Sequence, residues 1–336
     1  MDMKYEVEAD WFLLKTCNFR CSYCCLPPSA LGAKITIHGT HAQWVEGFNA
    51  TGKTWLLHIT GGEPTIYPDF VGLCEQLARR HYLSINTNLS HPCTADFAER
   101  IDPERVHYIN ASVHYDERQK KASLDGFIGQ VHNLQRHHFN VLVSSVMIPS
   151  MVSAFPELSE YFESHGLSLI PKTVRGMYQG NSYPAAYSAE QKALFLEYSA
   201  KARQKYATVM AGMGEPPTID MFADGRFLNS SGNYLGKLCG SGYNFLTIDP
   251  AGTLVRCGSG KYHGKSRIFR KRFGNILLKN VCFLPAPKPC DTYYCPYFCE
   301  KYTSPQFVRM PNGADTSIVS SRSSLIKQVL KELIGG

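Results

Sequence analysis

The chain has 336 residues, of which 44% are hydrophobic and 19% charged, and its formal net charge is +7. This composition fits a globular protein with a barrel-sized core. It excludes a transmembrane helix, because no apolar run of about 18 residues occurs. The acidic N-terminus lacks the apolar segment of a signal peptide. The twelve cysteines therefore indicate metal ligation in a reducing compartment, and we expect a cytoplasmic protein.

The first half of the chain alternates apolar runs of strand length with apolar stripes of helical period. The predicted strands cover residues 11–15, 55–60, 83–87, 106–113, 141–148 and 167–174. The predicted helices between them cover residues 40–50, 69–80, 94–100, 124–137 and 154–165. Six alternating units predict a parallel sheet. Their number indicates an α/β fold of the partial (β/α)6 TIM type, with ligands at the carboxyl ends of its strands.

The predicted barrel occupies residues 1–185. A helix capped by Ser188 and a stretch rich in glycine and proline form a predicted helical linker over residues 186–234. Residues 235–310 are expected to form a small cysteine-rich domain of β-hairpin and helix. Residues 311–336 are predicted to be a tail with an amphipathic docking helix at 324–333.

A dense group of cysteines follows the first predicted strand. Cys17, Cys21 and Cys24 form C-x3-C-x2-C, and Cys25 is a fourth, adjacent thiol. A tetrahedral zinc site or an iron–sulfur cubane needs four ligands, but the side chains of adjacent cysteines diverge. We therefore interpret the loop as three thiolates around a metal centre with one open position; three ordinary buried thiols are the alternative.

Polar residues follow the other predicted strands at positions that would share one rim of the barrel. The second strand ends at Gly61–Pro64, where two glycines let the main chain approach a ligand closely and Glu63 offers a carboxylate to an amine. A tight turn is the alternative interpretation of this motif. Later strands end near Asn86, Asn88, Ser112, His114, Lys172 and Arg175. This convergence predicts a binding site at the rim.

The segment C-N-F-R-C-S-Y-C resembles the signature loop of the radical S-adenosylmethionine (radical SAM) enzymes, and G-G-E-P after the second strand matches the same family. The resemblance implies a [4Fe–4S] cluster whose fourth iron binds S-adenosylmethionine (SAM). Its metal ligands would be Cys17, Cys21 and Cys24. Its SAM-binding residues would be Tyr23 near the adenine and Gly61, Gly62, Glu63 and Pro64 near the methionine amino group. Similarity of position adds Asn86, Asn88, Ser112 and Arg175 as candidates for ribose and carboxylate contacts.

Five further cysteines lie in the C-terminal third: Cys239, Cys257, Cys290, Cys295 and Cys299. The first two flank a predicted hairpin that turns at Gly252, and zinc is one interpretation of the set. The spacing is also similar to the SPASM and twitch extensions of radical SAM enzymes. This similarity implies one auxiliary [4Fe–4S] cluster held by Cys239, Cys257 and two of the other three. A leftover thiol could donate a hydrogen atom to a substrate radical. The remaining cysteines, Cys74, Cys93 and Cys282, are expected to be buried thiols.

The resemblance implies reductive cleavage of SAM to a 5′-deoxyadenosyl radical, which abstracts hydrogen from a substrate C–H bond. Flavodoxin or ferredoxin would be the electron donor. Because the cysteine loop begins at residue 17, we expect no domain that captures leader peptides. A small polar metabolite, such as a sugar, aminocyclitol or nucleotide derivative, is then the expected substrate, to be oxidised or epimerised. His114 and Tyr178 are the candidate catalytic residues.

Two alternatives stay open. The stretch between Asp249 and Asp291 holds nine basic residues and no acidic one. It could be a solvated basic loop, or it could bind an anionic substrate, an acidic electron-transfer protein or the partner of a peptide- or protein-modifying enzyme. Nucleic acid is disfavoured, because no known binding motif accompanies these charges. The second alternative is a non-enzymatic metal-binding module.

Overall fold

A parallel sheet of six strands lies at the centre of the protein and forms a partial barrel. The computed structural model describes residues 3–212, 224–228, 234–257, 272–290 and 295. The six strands are β1 (Val7–Leu14), β2 (Trp55–Gly61), β3 (Tyr82–Thr87), β4 (Val106–Ser112), β5 (Val141–Met147) and β6 (Leu169–Thr173). Each strand pairs in parallel with the next one along the chain. The predicted parallel α/β architecture is therefore confirmed.

Helices connect the strands and cover the outer face of the sheet. They are α1 (His41–Ala50), α2 (Phe70–Ala78), α3 (Cys93–Arg100), α4 (Tyr115–Lys121), α5 (Leu124–Arg136) and α6 (Phe155–Ser164). α1 begins at a capping box of Thr40 and Gln43, in which each side chain satisfies a backbone amide of the other residue. Phe127 of α5 and Phe162 of α6 are buried in the shared apolar core. The sequence patterns do not predict α4.

The two faces of β1 carry side chains of opposite character, as the period of a strand allows. Trp11 packs outward against Trp44 of α1, with their ring centres 4.8 Å apart. Glu8 lies on the other face, only 3% exposed, with its carboxylate 3.3 Å from Nε2 of His58. His58 also contacts the hydroxyl of Ser84 on β3. The inner face is therefore polar here. β1 begins at Val7 instead of residue 11, because the sequence pattern treats Glu8 and Asp10 as breaks although both are buried in the strand.

A C-terminal hairpin extends the same sheet beyond β1. The remaining strands are β7 (Gly176–Tyr178), β8 (Asn181–Tyr183), β9 (Leu238–Cys239), β10 (Phe245–Ile248), β11 (Thr253–Val255), β12 (Arg272–Asn275) and β13 (Lys288–Pro289). β10 pairs in parallel with β1, and the sheet order is β12-β11-β10-β1-β2-β3-β4-β5-β6. Gly252 has φ 81° in the turn between β10 and β11, which confirms the predicted hairpin. Part of the cysteine-rich segment thus completes the sheet of the barrel.

The segment after β12 packs against α1. Gly47 in this helix faces Ile276 so closely that a Cβ atom at residue 47 would overlap the Ile276 carbonyl oxygen. Next to this contact, Nζ of Lys279 lies 2.7 Å from a carboxylate oxygen of Glu46. The C-terminal segment is therefore held on the helix that covers β1, in addition to its pairing with the strand itself.

The region predicted as a helical linker is docked on the barrel. α7 (Ala189–Lys205) begins at a capping box of Ser188 and Gln191, as expected, and α8 (Ala207–Gly212) and α9 (Asp224–Leu228) follow. The hydroxyl of Tyr206 donates a hydrogen bond to the Ser168 carbonyl at 2.7 Å and accepts one from the Val143 amide at 3.1 Å. β7 and β8 form a hairpin. The predicted domain limits stay predictions.

Some predictions fall outside the described residues. These are the ligand Cys299, the tail at 311–336 and its docking helix at 324–333. Among the residues that the structure does describe, none of the helices combines the length and the apolar character needed to cross a lipid bilayer.

Candidate functional site

The cysteine loop directly follows β1 and is shaped by its own main chain. The Cys24 amide donates a hydrogen bond to the Cys21 carbonyl at 3.1 Å. Two amides point at sulfur atoms: Phe19 N–H lies 3.4 Å from Sγ of Cys17, and Leu26 N–H lies 3.4 Å from Sγ of Cys24. Amide hydrogen bonds to sulfur stabilise thiolates that bind an iron–sulfur cluster.

The three predicted ligands share one environment, and the fourth thiol of the loop does not. Cys17, Cys21 and Cys24 are half-buried and in no disulfide, whereas Cys25 is exposed. Burial raises the pKa of Cys17, and it raises the pKa of Cys21 to about 12. A hydrogen bond with Cys25, followed by burial, raises the pKa of Cys24. The protein alone therefore favours protonated thiols, and a bound metal would have to displace their protons.

The glycines of the Gly61–Pro64 motif make room for the cysteine loop. Gly61 has φ 142°, and a Cβ atom on it would overlap the Leu14 carbonyl oxygen. A Cβ atom on Gly62 would likewise overlap the carbonyl oxygen of Thr16. The Gly62 and Glu63 amides donate to these same two oxygens, each at 2.9 Å. The close approach expected toward a ligand is thus made to the chain that leads into the cysteines, and the contacts of this motif with SAM stay a prediction.

Glu63 is a buried carboxylate held by hydrogen bonds. Its side chain is 1% exposed, and Oε1 accepts from the Thr65 amide at 3.0 Å and from the hydroxyls of Thr65 and Thr87 at 2.6 Å each. Oε2 accepts from the Asn88 amide at 2.6 Å. Burial raises the pKa of Glu63, and these hydrogen bonds oppose the rise. The group is therefore oriented by the ends of β2 and β3.

Asn88 connects the end of β3 to the cysteine loop. Its side-chain amide donates to Oδ1 of Asn18 at 3.0 Å, and Asn18 donates in turn to the Ser90 hydroxyl at 2.8 Å. The Ser90 amide closes the ring by donating to Oδ1 of Asn88 at 2.9 Å. A residue predicted as a SAM contact thus has a structural partner inside the C-x3-C segment.

His114 brings the end of β4 to the cysteines. It has φ 48° and precedes α4, and its Nδ1 lies 3.4 Å from Sγ of Cys21 and 2.9 Å from the Tyr23 hydroxyl. The His114 ring is stacked with that of Tyr23 at 6.1 Å and meets Phe19 edge-on at 5.9 Å. Burial, with a smaller effect of Arg118, lowers the pKa of His114 to about 4. A neutral imidazole is therefore present beside the sulfur at neutral pH.

Side chains of α4 contact the main chain of the cysteine loop. The Arg20 amide donates to Oε2 of Glu117 at 3.1 Å, and Nζ of Lys121 donates to the Asn18 carbonyl at 3.1 Å. Arg118 lies between these two residues in sequence and is buried. Two side chains of one short helix, Glu117 and Lys121, thus hold the main chain between the first two cysteines.

The other predicted SAM-binding residues lie around the same rim. Asn86 is half-buried, and its Oδ1 has no hydrogen-bond partner among the described residues. Ser112 is half-buried at the end of β4, and Pro64 is buried in a 3-10 turn after β2. Arg175, beyond β6, donates to Oδ1 of Asp224 at 2.7 Å. Their contacts with SAM stay predictions.

Tyr178, the second predicted catalytic residue, lies on β7. Its side chain is buried in the main apolar core, with its ring 6.2 Å from that of Tyr183. Its catalytic role stays a prediction.

The C-terminal cysteines gather around one aromatic ring. Cys239, Cys257 and Cys295 pack against Phe245 of β10. Burial and, to a smaller extent, the nearby Cys290 raise the pKa of Cys239 to about 11. Cys290 is placed there because β13 pairs with β9. Four of the five predicted auxiliary ligands therefore lie in one region, and the fifth, Cys299, is outside the described residues.

The expected burial of the other thiols is correct for Cys74 and wrong for Cys282. Cys74 is buried in the core and Cys93 is half-buried, whereas Cys282 is exposed. Cys282 lies in the loop that packs on α1, and its amide, rather than its sulfur, makes the local hydrogen bond, to the Phe273 carbonyl at 3.0 Å.

The side chains around the first cysteine loop match the needs of an iron–sulfur cluster. Within the described part of the chain, no three His, Cys, Asp or Glu side chains converge as ligands of one ion. A cubane does not need this convergence, because each thiolate binds a different iron. The donor set around Cys17, Cys21 and Cys24 contains thiols, N–H groups directed at sulfur and one neutral imidazole, which suits such a cluster.

Residues 11–151 match the model of the Radical SAM superfamily. This part of the chain is a radical SAM domain. The matched residues run from β1 through β5 and contain the cysteine loop, Gly61–Pro64 and His114. Radical SAM domains are associated with a [4Fe–4S] cluster and SAM, as the motif implied. A search of curated proteins found no match for the chain.

Several solved structures have the same fold. SuiB of Streptococcus suis bound to SAM has a TM-score of 0.52 and 15% identity, over 82% of this chain and 64% of SuiB. anSMEcpe with bound AdoMet has a TM-score of 0.53 and 13% identity, over 80% of this chain and 78% of that one. BtrN in complex with AdoMet and 2-DOIA shows a weaker likeness. Its TM-score is 0.41 and its identity 11%, over 83% of this chain and 81% of BtrN. At these identities the likeness concerns the fold, and this chain spans only 64% of the length of SuiB.

The supporting residues on α4 are not predicted from the sequence. Glu117, Arg118 and Lys121 contact the cysteine loop, but they occur in D-E-R-Q-K-K, which has no apolar periodicity. One feature of the sequence could have predicted α4. Its charges are acidic in the first turn and basic in the last, and this order stabilises a short helix through the helix dipole. Asn18, inside the cysteine motif, is also missed.

Proposed function

We propose that this radical SAM chain is an enzyme that cleaves SAM reductively and abstracts hydrogen from a substrate C–H bond. The observation that carries the proposal is the set of free thiols of Cys17, Cys21 and Cys24 on one loop, with an N–H group or an imidazole beside each sulfur. When bound, a [4Fe–4S] cluster supplies the electron that splits the SAM sulfonium into methionine and a 5′-deoxyadenosyl radical.

The residues at the rim would bind and orient SAM. Glu63 Oε2 accepts one hydrogen bond from the described residues, which leaves a lone pair for the methionine ammonium group. The buried Oδ1 of Asn86 could accept a ribose hydroxyl, and Tyr23 would lie against the adenine. In this proposal Asn88, Ser112 and Arg175 complete the ribose and carboxylate contacts, and Gly61, Gly62 and Pro64 shape the methionine site.

An auxiliary [4Fe–4S] cluster would be held by Cys239, Cys257 and two of Cys290, Cys295 and Cys299. The packing of three of these thiols around Phe245 supports the proposal. β10, which carries this ring, pairs with β1, and the first cysteine loop follows β1. The second cluster would therefore be attached to the same β-sheet as the first. Such a cluster can accept an electron from a substrate radical, and flavodoxin or ferredoxin would supply the electron for SAM cleavage.

We favour a small polar metabolite as the substrate, which the enzyme would oxidise or epimerise. Support comes from the polar inner face of the barrel, where Glu8 and His58 are paired and the Ser144 hydroxyl donates to Oδ1 of Asn110 at 2.8 Å. Hydroxyl and amine groups of a sugar, aminocyclitol or nucleotide derivative would hydrogen-bond to polar side chains of this kind. His114 and Tyr178 remain the candidate catalytic residues.

A peptide or protein substrate is the second candidate. One structure with the same fold, anSMEcpe, was solved with AdoMet and a peptide named Cp18Cys. A peptide-modifying enzyme would use the same thiols and the same SAM site, so the two candidates differ only in what reaches the rim of the barrel.

Anaerobic reconstitution of the chain with iron and sulfide tests the enzymatic proposal. Two cubanes predict about eight irons per chain, and dithionite with SAM should release 5′-deoxyadenosine. Binding of zinc alone without cleavage of SAM would support a non-enzymatic metal module instead. Deuterated sugars, aminocyclitols and peptides then separate the substrate classes, because only a true substrate transfers deuterium into 5′-deoxyadenosine.

A further inference from the structure

Arg118 is a buried cation under the cysteine loop. Its side chain is 1% exposed. Nε donates to the Val113 carbonyl at 2.6 Å, Nη1 donates to the Ser123 carbonyl at 3.3 Å, and Nη2 donates to the Asn88 carbonyl. The guanidinium also lies over the ring of Phe127 at 4.2 Å. All three nitrogens thus meet main-chain oxygens.

Arg118 has no carboxylate within ion-pair distance among the residues that the structure describes. Its charge interacts with Glu63 and Cys21, and the main chain of Asn88 separates it from Glu63. Asn88 donates its N–H to Glu63 and accepts from Arg118 through its carbonyl. Burial lowers the pKa of Arg118 to about 10, so it stays charged at neutral pH. A buried charge without a direct counter-ion costs free energy. An anion close to Arg118 would offset this cost.

A second cation approaches the same loop from the solvent side. Arg118 and Lys121 both lie over the ring of Phe19, at 5.5 Å and 4.2 Å. Phe19 stands between the first two cysteines of the motif, and Lys121 also donates to the Asn18 carbonyl. The acidic groups near this loop are Glu63, Asp116 and Glu117, and Lys120 is paired with Glu117 at 2.7 Å.

We propose that Arg118, assisted by Lys121, is a positioning residue that stabilises the reduced form of the cluster held by Cys17, Cys21 and Cys24. The inference rests on the proposed function, because it requires a cluster at these thiols. One-electron reduction adds a negative charge to the cluster, and a fixed cation in a low-dielectric site stabilises that charge. Without Arg118, less positive charge would offset the carboxylates of Glu63 and Glu117, which destabilise the added negative charge of the cluster.

The test compares the midpoint potential of the cluster in the full-length reconstituted chain and in four variants. Arg118→Met removes the charge, Arg118→Lys keeps it without the fork of donors, Lys121→Met removes the exposed cation, and Lys201→Met on α7 is a distant control. The relevant cluster is identified as the one whose electron paramagnetic resonance signal changes when SAM is added. Iron content and this signal report independently whether a cluster is present.

We expect the ratio of reduced to oxidised cluster at a fixed potential to fall by about tenfold in Arg118→Met. The shift should be smaller in Lys121→Met, since solvent screens an exposed charge, and Arg118→Lys and Lys201→Met should remain near the wild type. Equal shifts in Arg118→Lys and Arg118→Met would indicate a structural role and overturn the inference, as would unchanged potentials. If Arg118→Met loses the cluster, an unchanged potential in Lys121→Met overturns it. A wild-type chain without any cluster would overturn the proposed function itself.

Discussion

The Nδ1 atom of His114 lies 3.4 Å from the sulfur of Cys21. This places a nitrogen from the end of β4 directly beside a proposed iron ligand on the loop after β1. The same nitrogen is 2.9 Å from the Tyr23 hydroxyl, so one imidazole orients two side chains of the motif. Contacts of this kind around a metal ligand tune the metal and fix the ligand geometry.

His114→Phe should therefore impair SAM cleavage while sparing the fold. Phenylalanine keeps the packing against Phe19 and Tyr23 but removes both nitrogen contacts. Loss of such a partner typically costs about 10- to 100-fold in metal affinity or activity. The rate of 5′-deoxyadenosine release per cluster measures the effect. His165→Phe, at an exposed position on the far end of α6, is the control, and equal rates in the two variants would contradict the prediction.

Cys24 and Cys25 should differ sharply when each is replaced by serine. Cys24 is half-buried and receives the Leu26 amide at its sulfur, whereas Cys25 is exposed. Cys24→Ser should lose the SAM-responsive cluster, and Cys25→Ser should retain it. Iron analysis with electron paramagnetic resonance checks this pair. A cluster lost in Cys25→Ser and kept in Cys24→Ser would mean that the ligand assignment is wrong.

Gly61→Ala should disturb the cysteine loop from the neighbouring strand. The new Cβ would overlap the Leu14 carbonyl at a φ of 142°, and strain together with overpacking costs roughly 2–4 kcal/mol. We expect a lower urea midpoint and a reduced iron content. The matched control is Gly129→Ala on α5, where a Cβ meets nothing within 4 Å. That variant should be stabilised by up to about 1 kcal/mol because alanine favours a helix.

Asp224 should make the protein sensitive to acid. Burial by itself would raise the pKa of this carboxyl, but Arg175, Lys172 and two hydrogen bonds from Thr173 outweigh it and lower the pKa to about 2. An unfolded aspartate titrates near about 3.9, so the stabilisation is complete above that pH and is lost as the pH falls toward 2. It amounts to about 2–3 kcal/mol.

Urea unfolding between pH 2 and 7 measures this contribution. The wild type should lose stability steadily below about pH 4, and Asp224→Asn should be less stable at pH 7 with a flatter acid profile. The prediction fails if the two profiles are parallel, because the acid sensitivity would then arise from other groups.

Replacement of Cys239 and Cys257 by serine should remove the auxiliary cluster alone. Both thiols pack against Phe245, far along the chain from the first cysteine loop. Iron content should fall from about eight to about four per chain, while the SAM-responsive signal persists. An iron content that does not change would show that these thiols are not ligands.

Local sequence patterns predict those parts of the fold that are determined by residues close together in the chain. The six central strands and five of their helices follow from apolar periodicity. The cysteine loop and Gly61–Pro64 follow from motif spacing and from their position after strands. The predicted β1 is too short because Glu8 and Asp10 look like breaks in an apolar run, whereas the polar inner face of the sheet accommodates both side chains.

Long-range relationships are not contained in such patterns. The pairing of β10 with β1 joins segments far apart in sequence, and a strand of four residues does not specify its partner. Arg118 has the sequence appearance of a surface residue in a charged stretch, yet it is buried under the loop. The glycines of Gly61–Pro64 are predicted to approach a ligand, and only the structure reveals that they approach Leu14 and Thr16.

The parallel pairing of β10 with β1 has a consequence for folding on the ribosome. β1 is synthesised before the other described strands, but the strand that covers its free edge is completed only at Ile248. Until then, an edge with unpaired amide and carbonyl groups is exposed to association with other chains. A fragment that ends with the radical SAM domain would keep that edge permanently, so we expect it to aggregate, whereas a fragment extended through β11 should remain monomeric.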